Sequence, residues 1–170
     1  MREFFLRTER LGFGLWSAGD LDLAMTLWGD AKVSALLGGP FSPEQVEARL
    51  RAEIEGMEGR GVQYWPVFAL SDGDLVGCAG LRPYGNDEGI LELGIHLRPG
   101  YWRQGIAEEA ARAVIGYGFG MPAVKAIFAG HHPANAGSRR LMEKLGFRYT
   151  GEEYYPPMGM DHPSYLLTRS

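Results

Sequence analysis

The residues best suited to chemistry in this sequence form a short turn at positions 102–107, which read Trp-Arg-Gln-Gly-Ile-Ala. An apolar run ends at Leu97 before the turn, and a helical pattern beginning with Glu108 and Glu109 follows it. This order indicates a strand, a glycine-containing turn and the first turn of a helix. A helix N-terminus carries unpaired backbone N–H groups and partial positive charge. We therefore expect an anion, most often a phosphate, to bind here.

The other reactive side chains indicate no second chemistry. Cys78 lies in an apolar segment, where a buried thiol is expected rather than a nucleophile, and a single cysteine excludes an internal disulfide. His131, His132 and His162 lack the spacing typical of zinc ligands, so no bound metal is expected.

The composition is typical of a globular protein. The 170 residues are 45% hydrophobic and 22% charged, which fits one domain over residues 1–170. The net charge of −4 and the lack of a Lys/Arg block argue against a nucleic-acid partner. No apolar run has the length of a membrane span, and no signal peptide is evident at the start. We expect a cytoplasmic protein without a membrane partner, either a monomer or a homodimer.

Hydrophobic periodicity predicts the elements that hold the turn. Helices are expected to begin at Asp20, at Ser42, after the glycine turn and near Asn135, and Ser42 with Gln45 forms a capping box. The helix after the turn should point Glu109 and its charged neighbours outward. Strands are predicted at residues 10–16, 64–70, 75–81, 90–97, 124–129, 148–155 and 164–168. This order predicts an α+β fold, a mixed α/β sandwich.

Three segments, in this order, resemble the GNAT (Gcn5-related) N-acetyltransferases, in particular their RimJ/RimL-like branch. Residues 8–11 resemble the first strand of that branch. Residues 93–110 resemble the acetyl-CoA motif Gln/Arg-x-x-Gly-x-Gly/Ala, with Trp102 in its first position. Asn135-x-x-Ser138 and the Glu-Lys-Leu-Gly-Phe of residues 143–147 form the third segment. The resemblance covers almost the whole chain and implies a central, mostly antiparallel sheet of six to seven strands flanked by about four helices.

The resemblance implies acetyl-CoA as co-substrate, with its phosphates at the glycine turn. Gly105 and Ala107 would allow close backbone approach, although alone they would equally serve tight strand–helix packing. Asn135 would contact the pantetheine amide region, and it is by default a helix cap. The pantetheine arm would pair with main-chain groups like an added strand, in a slot where two parallel strands splay apart. The cofactor-binding residues implied are Ile95, His96, Leu97, Trp102, Arg103, Gln104, Gly105, Ile106, Ala107, Asn135 and Ser138.

In the family, an amine attacks the thioester directly, which requires a base, an oxyanion donor and a proton for the thiolate. The expected oxyanion donor is a backbone N–H within residues 95–97. Glu92 is the first candidate base and His96 the second; alternation puts both on one strand face unless a bulge intervenes. Met142 stands where many members have a tyrosine acid, and Ser138 matches by position the serine that has this role in RimL-like relatives. Because a thiolate is a tolerable leaving group, a reaction without a dedicated acid is the other alternative. A solvent-facing Glu92, a structural His96 and a capping Ser138 stay open as alternatives.

The acceptor is expected to be a primary amine, either a protein N-terminus or a small molecule. Deprotonating a lysine at pH 7 costs about 4–5 kcal/mol, against about 1 kcal/mol for an α-amine, so weakly basic amines are favoured. RimL-like relatives place a carboxylate where this chain has Pro157, with Glu152 and Glu153 nearby. Residues 151–163 could line an acceptor groove or cap the sheet edge.

Two other functions stay open: a CoA-binding sensor without turnover, and an unrelated nucleotide-phosphate binder, which the absence of Gly-Lys-Ser/Thr after the turn disfavours.

Overall fold

The computed structural model describes residues 2–169, which form an eight-stranded sheet with helices on both faces. The strands are β1 (Leu6–Arg7), β2 (Leu11–Phe13), β3 (Tyr64–Ala69), β4 (Leu75–Tyr84), β5 (Asp87–Leu97), β6 (Ala126–Gly130), β7 (Arg148–Tyr155) and β8 (Met160–Thr168). The α-helices are α1 (Leu21–Trp28), α2 (Ala31–Ser34), α3 (Pro43–Arg60), α4 (Ile106–Phe119) and α5 (Ala136–Lys144).

Within residues 2–169 the strand order is β1-β2-β3-β4-β5-β6-β8-β7, and only β5 and β6 pair in parallel. The predicted α+β fold with a mostly antiparallel sheet is confirmed. The described part of the chain has eight strands and five α-helices, where six to seven strands and about four helices were expected. The additions, β1 with two residues and α2 with four, are too short to produce a periodic pattern.

Local signals explain the long helix α3. The Ser42 side chain accepts a hydrogen bond from the Gln45 N–H at 3.2 Å, and the Gln45 side chain accepts one from the Ser42 N–H at 2.8 Å. Pro43 occupies the first turn, and Gly61 ends the helix with φ of 74°. The predicted start is therefore confirmed.

Apolar side chains pack on both faces of the sheet. On one face, α4 and α5 cover Leu81, Leu93 and Ile127. On the other face, α1 and α3 cover Tyr64 and Phe68. None of the helices formed by residues 2–169 has the length and apolar character required to cross a membrane.

The C-terminal segment differs from its prediction. Residues 151–163 lie mostly in the β7–β8 hairpin, with one 3₁₀ turn at Pro156–Met158, and β8 begins at Met160 rather than at residue 164. The strand predicted at residues 10–16 is shorter in the structure, where β2 covers only Leu11–Phe13.

Candidate active site

The sheet opens between its two parallel strands. The β5–β6 pairing covers Ile90, Leu91 and Glu92 and then stops, although β5 continues to Leu97 and β6 to Gly130. A cavity of about 480 Å³ occupies this opening. Its wall includes side chains from both apolar cores, such as Met142 on one face and Tyr64 on the other. The opening therefore connects the two faces of the sheet.

Strand alternation decides which main-chain groups face the opening. The Arg98 N–H donates to the Val76 carbonyl at 2.9 Å, so even-numbered residues of β5 pair with β4 and odd-numbered ones face the opening. The His96 carbonyl faces β4, because a Cβ built on Gly77 would lie 2.1 Å from it. The expectation that the His96 main chain faces the cofactor slot is therefore wrong. For Ile95 and Leu97 it stays a prediction that the orientation allows.

The predicted glycine turn leads into α4, which begins at Ile106. Arg103 has φ of 60° and Gly105 has φ of 76°, left-handed values that are unusual for a side chain such as that of arginine. A backbone with such left-handed residues directs neighbouring N–H groups toward one point and can bind an anion. No side chain of residues 2–169 caps this helix N-terminus, and the first N–H to bond within the helix is that of Glu109. The turn therefore has the geometry of a phosphate site.

Side chains of the turn hold its shape. The Trp102 indole N–H donates to the Leu97 carbonyl at 2.8 Å, and the Gln104 amide donates to the Gly100 carbonyl at 2.8 Å. Arg10 donates to the Gln104 carbonyl at 3.0 Å. Trp102 and Gln104 thus fix the turn through their side chains and leave the backbone N–H groups available.

Glu109 connects α4 to the start of β2, so the expectation that it points outward is wrong. Its carboxylate accepts hydrogen bonds from the Thr8 hydroxyl at 2.6 Å, the Arg10 N–H at 2.8 Å and the Arg10 Nε at 2.6 Å. Burial alone would raise the pKa of Glu109, but these hydrogen bonds hold it below its usual value. This contact spans 99 residues of sequence, and periodicity gives no signal for it.

Glu92 and His96 lie on one face of β5, as predicted. The β4–β5 register is unbroken from Leu91 to Leu97, so no bulge disturbs the alternation. Both side chains line the cavity. Burial raises the pKa of Glu92, Arg82 opposes the shift and Glu153 adds to it. A carboxylate with a raised pKa is a stronger proton acceptor than an exposed one.

His96 has the environment of a structural histidine. Its Nδ1 accepts a hydrogen bond from the Trp28 indole at 3.1 Å and lies 3.5 Å from the Cys78 sulfur. Burial lowers the pKa of His96 to about 3, and the charges of Arg49 and Arg82 contribute. The imidazole is neutral at pH 7 with its Nδ1 lone pair in use, so it suits a hydrogen-bond donor through Nε2 better than a base.

The first turn of α5 faces the same cavity. The Asn135 side chain accepts a hydrogen bond from the Ser138 N–H at 3.0 Å, which makes it the helix cap. Ser138 lines the cavity beside Asn135. Met142 is buried one turn further along the helix, so no hydroxyl is present at that position.

The cavity wall on the α1–α3 side contains charged residues that the sequence argument did not single out. Arg82 forms an ion pair with Glu53 at 2.9 Å, and Glu53 is 3% exposed. Arg49 lies in the same wall. Glu53 falls on the apolar stripe of α3 with Val46 and Leu50, and a charged residue on such a stripe is the signal that could have found this cluster.

The β7–β8 hairpin closes the cavity from the other side. Tyr154, Tyr155 and Pro156 line it, and Glu153 accepts a hydrogen bond from the Tyr84 hydroxyl at 2.7 Å. His131, His132 and His162 also line the cavity. Within residues 2–169, no group of three His, Cys, Asp or Glu side chains is arranged to hold a metal ion.

Comparison with known proteins identifies the fold and its family. The family model described as the acetyltransferase (GNAT) domain matches residues 10–148. The chain belongs to the GNAT acetyltransferase family. The matched region of this GNAT domain includes the opened strands, the glycine turn and α5.

Individual relatives agree with the family. The uncharacterized N-acetyltransferase p20 of Bacillus licheniformis is 27% identical over 149 residues, which cover 86% of this chain and 83% of the relative. The crystal structure of a GNAT-family acetyltransferase from Bacillus anthracis has a TM-score of 0.81 and 26% identity, covering 97% and 98% of the two chains. The aminoglycoside acetyltransferase AAC(6')-Ib, in complex with ribostamycin and coenzyme A, has a TM-score of 0.76 and 19% identity, covering 95% and 94%, and shows the fold alone.

Proposed function

We propose that this protein is an acetyl-CoA-dependent N-acetyltransferase, which transfers an acetyl group to a primary amine by direct attack. One observation carries the proposal: β5 and β6 part directly after Glu92, and the chain that leaves this opening at Leu97 passes through the glycine turn to the uncapped N-terminus of α4. A phosphate site and an adjoining slot for an extended arm together fit CoA better than a nucleotide, which would need no slot.

On the donor side, the N–H groups of residues 103–108 hold phosphate oxygens, supported by the positive end of the α4 dipole. Acetyl-CoA supplies the activated acetyl group when it is bound. The main-chain groups of Ile95 and Leu97 on the open strand edge pair with the pantetheine arm. The Ile95 N–H, which faces the opening, also donates to the oxygen that gains negative charge in the slot. Asn135 and Ser138 contact the arm from the α5 side.

On the acceptor side, Glu92 is the general base. Its carboxylate lies at the point where the strands part, and its raised pKa strengthens proton acceptance from an ammonium group. His96, as a neutral donor, orients rather than deprotonates. Glu153, held by Tyr84, adds negative charge near the amine.

The departing thiolate needs a proton only after the C–S bond breaks. Ser138 is the candidate acid because Met142 provides none. A thiol has a reference pKa of about 8.5, so water can also supply this proton without a large rate penalty.

The strength of the general base limits which class of amine can be the acceptor. A carboxylate, even with a raised pKa, deprotonates an α-amine more readily than a lysine side chain. A protein N-terminus, as the RimJ/RimL-like motifs suggest, and a small weakly basic amine both satisfy this requirement. We place the protein in the cytoplasm and treat residues 1–170 as one catalytic domain.

A binding and turnover series tests the proposal. Calorimetry with CoA, acetyl-CoA and ATP comes first, followed by thiol release from acetyl-CoA over a panel of amines. We expect CoA and acetyl-CoA to bind more tightly than ATP and thiol release to depend on the amine. Tight CoA binding without thiol release would support the CoA sensor instead, and a preference for ATP would contradict the donor assignment.

A further inference from the structure

Arg49 is a cation in the cavity wall that has no ionic partner in the described part of the chain. Its guanidinium lies over two aromatic rings, 5.4 Å from the Trp28 centroid and 5.1 Å from that of Phe41. Among residues 2–169, no carboxylate lies within ion-pair distance of it. Two aromatic faces orient the group but do not neutralise its charge.

The neighbouring Arg82 is compensated. It pairs with Glu53 at 2.9 Å and lies 3.9 Å from the Tyr64 ring centroid. Glu53 also accepts a hydrogen bond from the Tyr64 N–H at 2.6 Å, so its position is fixed. Arg82 therefore has no need of an external anion, whereas Arg49 does.

The surroundings of Arg49 favour a bound anion. Burial lowers the pKa of Arg49 and repulsion from Arg82 lowers it further, and the opposing influence of Cys78, Glu53 and Tyr155 offsets this only in part. A half-buried cation that faces a like charge is stabilised when an anion enters beside it. The planar guanidinium can bind a carboxylate or phosphonate through two parallel hydrogen bonds.

The cavity has charges of opposite sign in its wall. Glu92 and Glu153 provide negative charge near the parted strands, and Arg49 provides positive charge from α3. A molecule with an ammonium group at one end and an acidic group at the other matches this arrangement. A polycationic amine would place a second positive charge beside the Arg49 guanidinium, which would repel it.

We propose that the acceptor is a small amine that also carries an acidic group, which Arg49 binds while the amine faces Glu92. This inference rests on the proposed acetyl transfer and names its substrate class. Amino acids and aminoalkylphosphonates are the simplest members of the class.

Matched pairs of acceptors test the inference. Thiol release is measured with amino acids against their carboxamides, and with aminoalkylphosphonates against simple alkylamines. Each is assayed at the pH where its amine is equally deprotonated. We expect kcat/KM to favour the acidic member of each pair by roughly 10- to 100-fold, since a hydrogen bond to a charged group is lost in the other member.

Variants of two arginines in one helix supply the control. Arg49→Gln should lower kcat/KM for the acids more than for their carboxamides and bring the acid-to-amide ratio close to one, and Arg49→Lys should restore part of the ratio. Arg51→Gln removes an equal charge at an exposed position of α3, where the side chain pairs with Glu47, and should leave the ratio unchanged. A purely structural Arg49 would lower turnover of both members of a pair together.

The thiol-release assay separates failure of the proposed acetyl transfer from failure of the proposed acceptor class. If no amine releases thiol, acetyl transfer itself fails. If amines are acetylated but carboxamides or polyamines react as well as the acids, the inference is overturned. Acidic peptides acetylated in preference to every small acid would also overturn it, because the proposed acceptor is a small molecule.

Discussion

Glu109→Gln should weaken both the fold and the phosphate site, because one carboxylate joins the start of β2 to the first turn of α4. The side chain is 17% exposed and accepts three hydrogen bonds, two of them from Arg10. An amide can still accept from the Thr8 hydroxyl and the Arg10 N–H. Its NH₂ group, however, meets the Arg10 Nε, and both are donors.

The size of the effect follows from these contacts. A hydrogen bond between charged groups contributes about 1.5–3 kcal/mol, and Arg10 is 47% exposed, which reduces this to roughly 1–2 kcal/mol. In a domain of this size the melting temperature should fall by roughly 2–8 °C. Arg10 also supports the Gln104 carbonyl, so CoA affinity should fall by about 3- to 10-fold.

Thermal unfolding and CoA calorimetry measure the two effects, with Glu108→Gln as the matched control. Glu108 pairs with Arg112 and Lys144 on the exposed side of the same turn, and its loss should matter much less. The folded pKa of Glu109 is lowered, so its contribution should be present above the unfolded pKa near 4.3 and be lost as pH falls through the folded value. Equal melting temperatures and CoA affinities for Glu109→Gln and the wild type would refute the reasoning.

Three other outcomes are expected. Glu92→Gln should retain CoA binding and lower kcat by about 10²- to 10⁴-fold. In the wild type, the acidic limb of the kcat/KM-against-pH profile should have its midpoint above the usual glutamate pKa range, and the variant should lack this limb. An unchanged pH profile in the variant would exclude Glu92 as the base. Gly94→Ala would place a Cβ 2.2 Å from the buried Tyr64 ring and should cost about 1–3 kcal/mol by urea unfolding, whereas Gly116→Ala, in open space on α4, should not destabilise. Cys78 is buried, with its pKa raised to about 12, so iodoacetamide at pH 8 should label it only after unfolding; rapid labelling of the native protein would contradict its placement.

The sequence predicted those parts of the protein that depend on local signals. The capping box at Ser42, the strand that ends at Leu97 and the cap at Asn135 each rest on neighbouring residues, and the structure has all three. The sequence also predicted that Glu92 and His96 lie on the same face of β5, because strand alternation requires only that no bulge intervenes.

Contacts between distant segments were not predictable in this way. A glutamate at position 109 of the sequence is typical of a solvent-facing helix position. It has another role only because Thr8 and Arg10, which are distant in sequence, donate hydrogen bonds to it in the fold. Similarly, the uncompensated charge of Arg49 depends on Arg82 taking Glu53 as its partner. The hydrogen bond from Trp28 to His96 joins residues 68 positions apart and changes the imidazole from a candidate base to a donor.

The central claim is that CoA phosphates bind at the N-terminus of α4, and a calorimetric CoA titration of three proteins tests it most directly. Gly105→Val forces a β-branched residue to φ of 76° and distorts the turn, whereas Gly116→Val adds an equal side chain to open space on the same helix. We predict one CoA per wild-type chain, retained affinity in Gly116→Val and at least about tenfold weaker binding in Gly105→Val, with all three proteins folded. Equal CoA affinity in the two folded variants would contradict the claim.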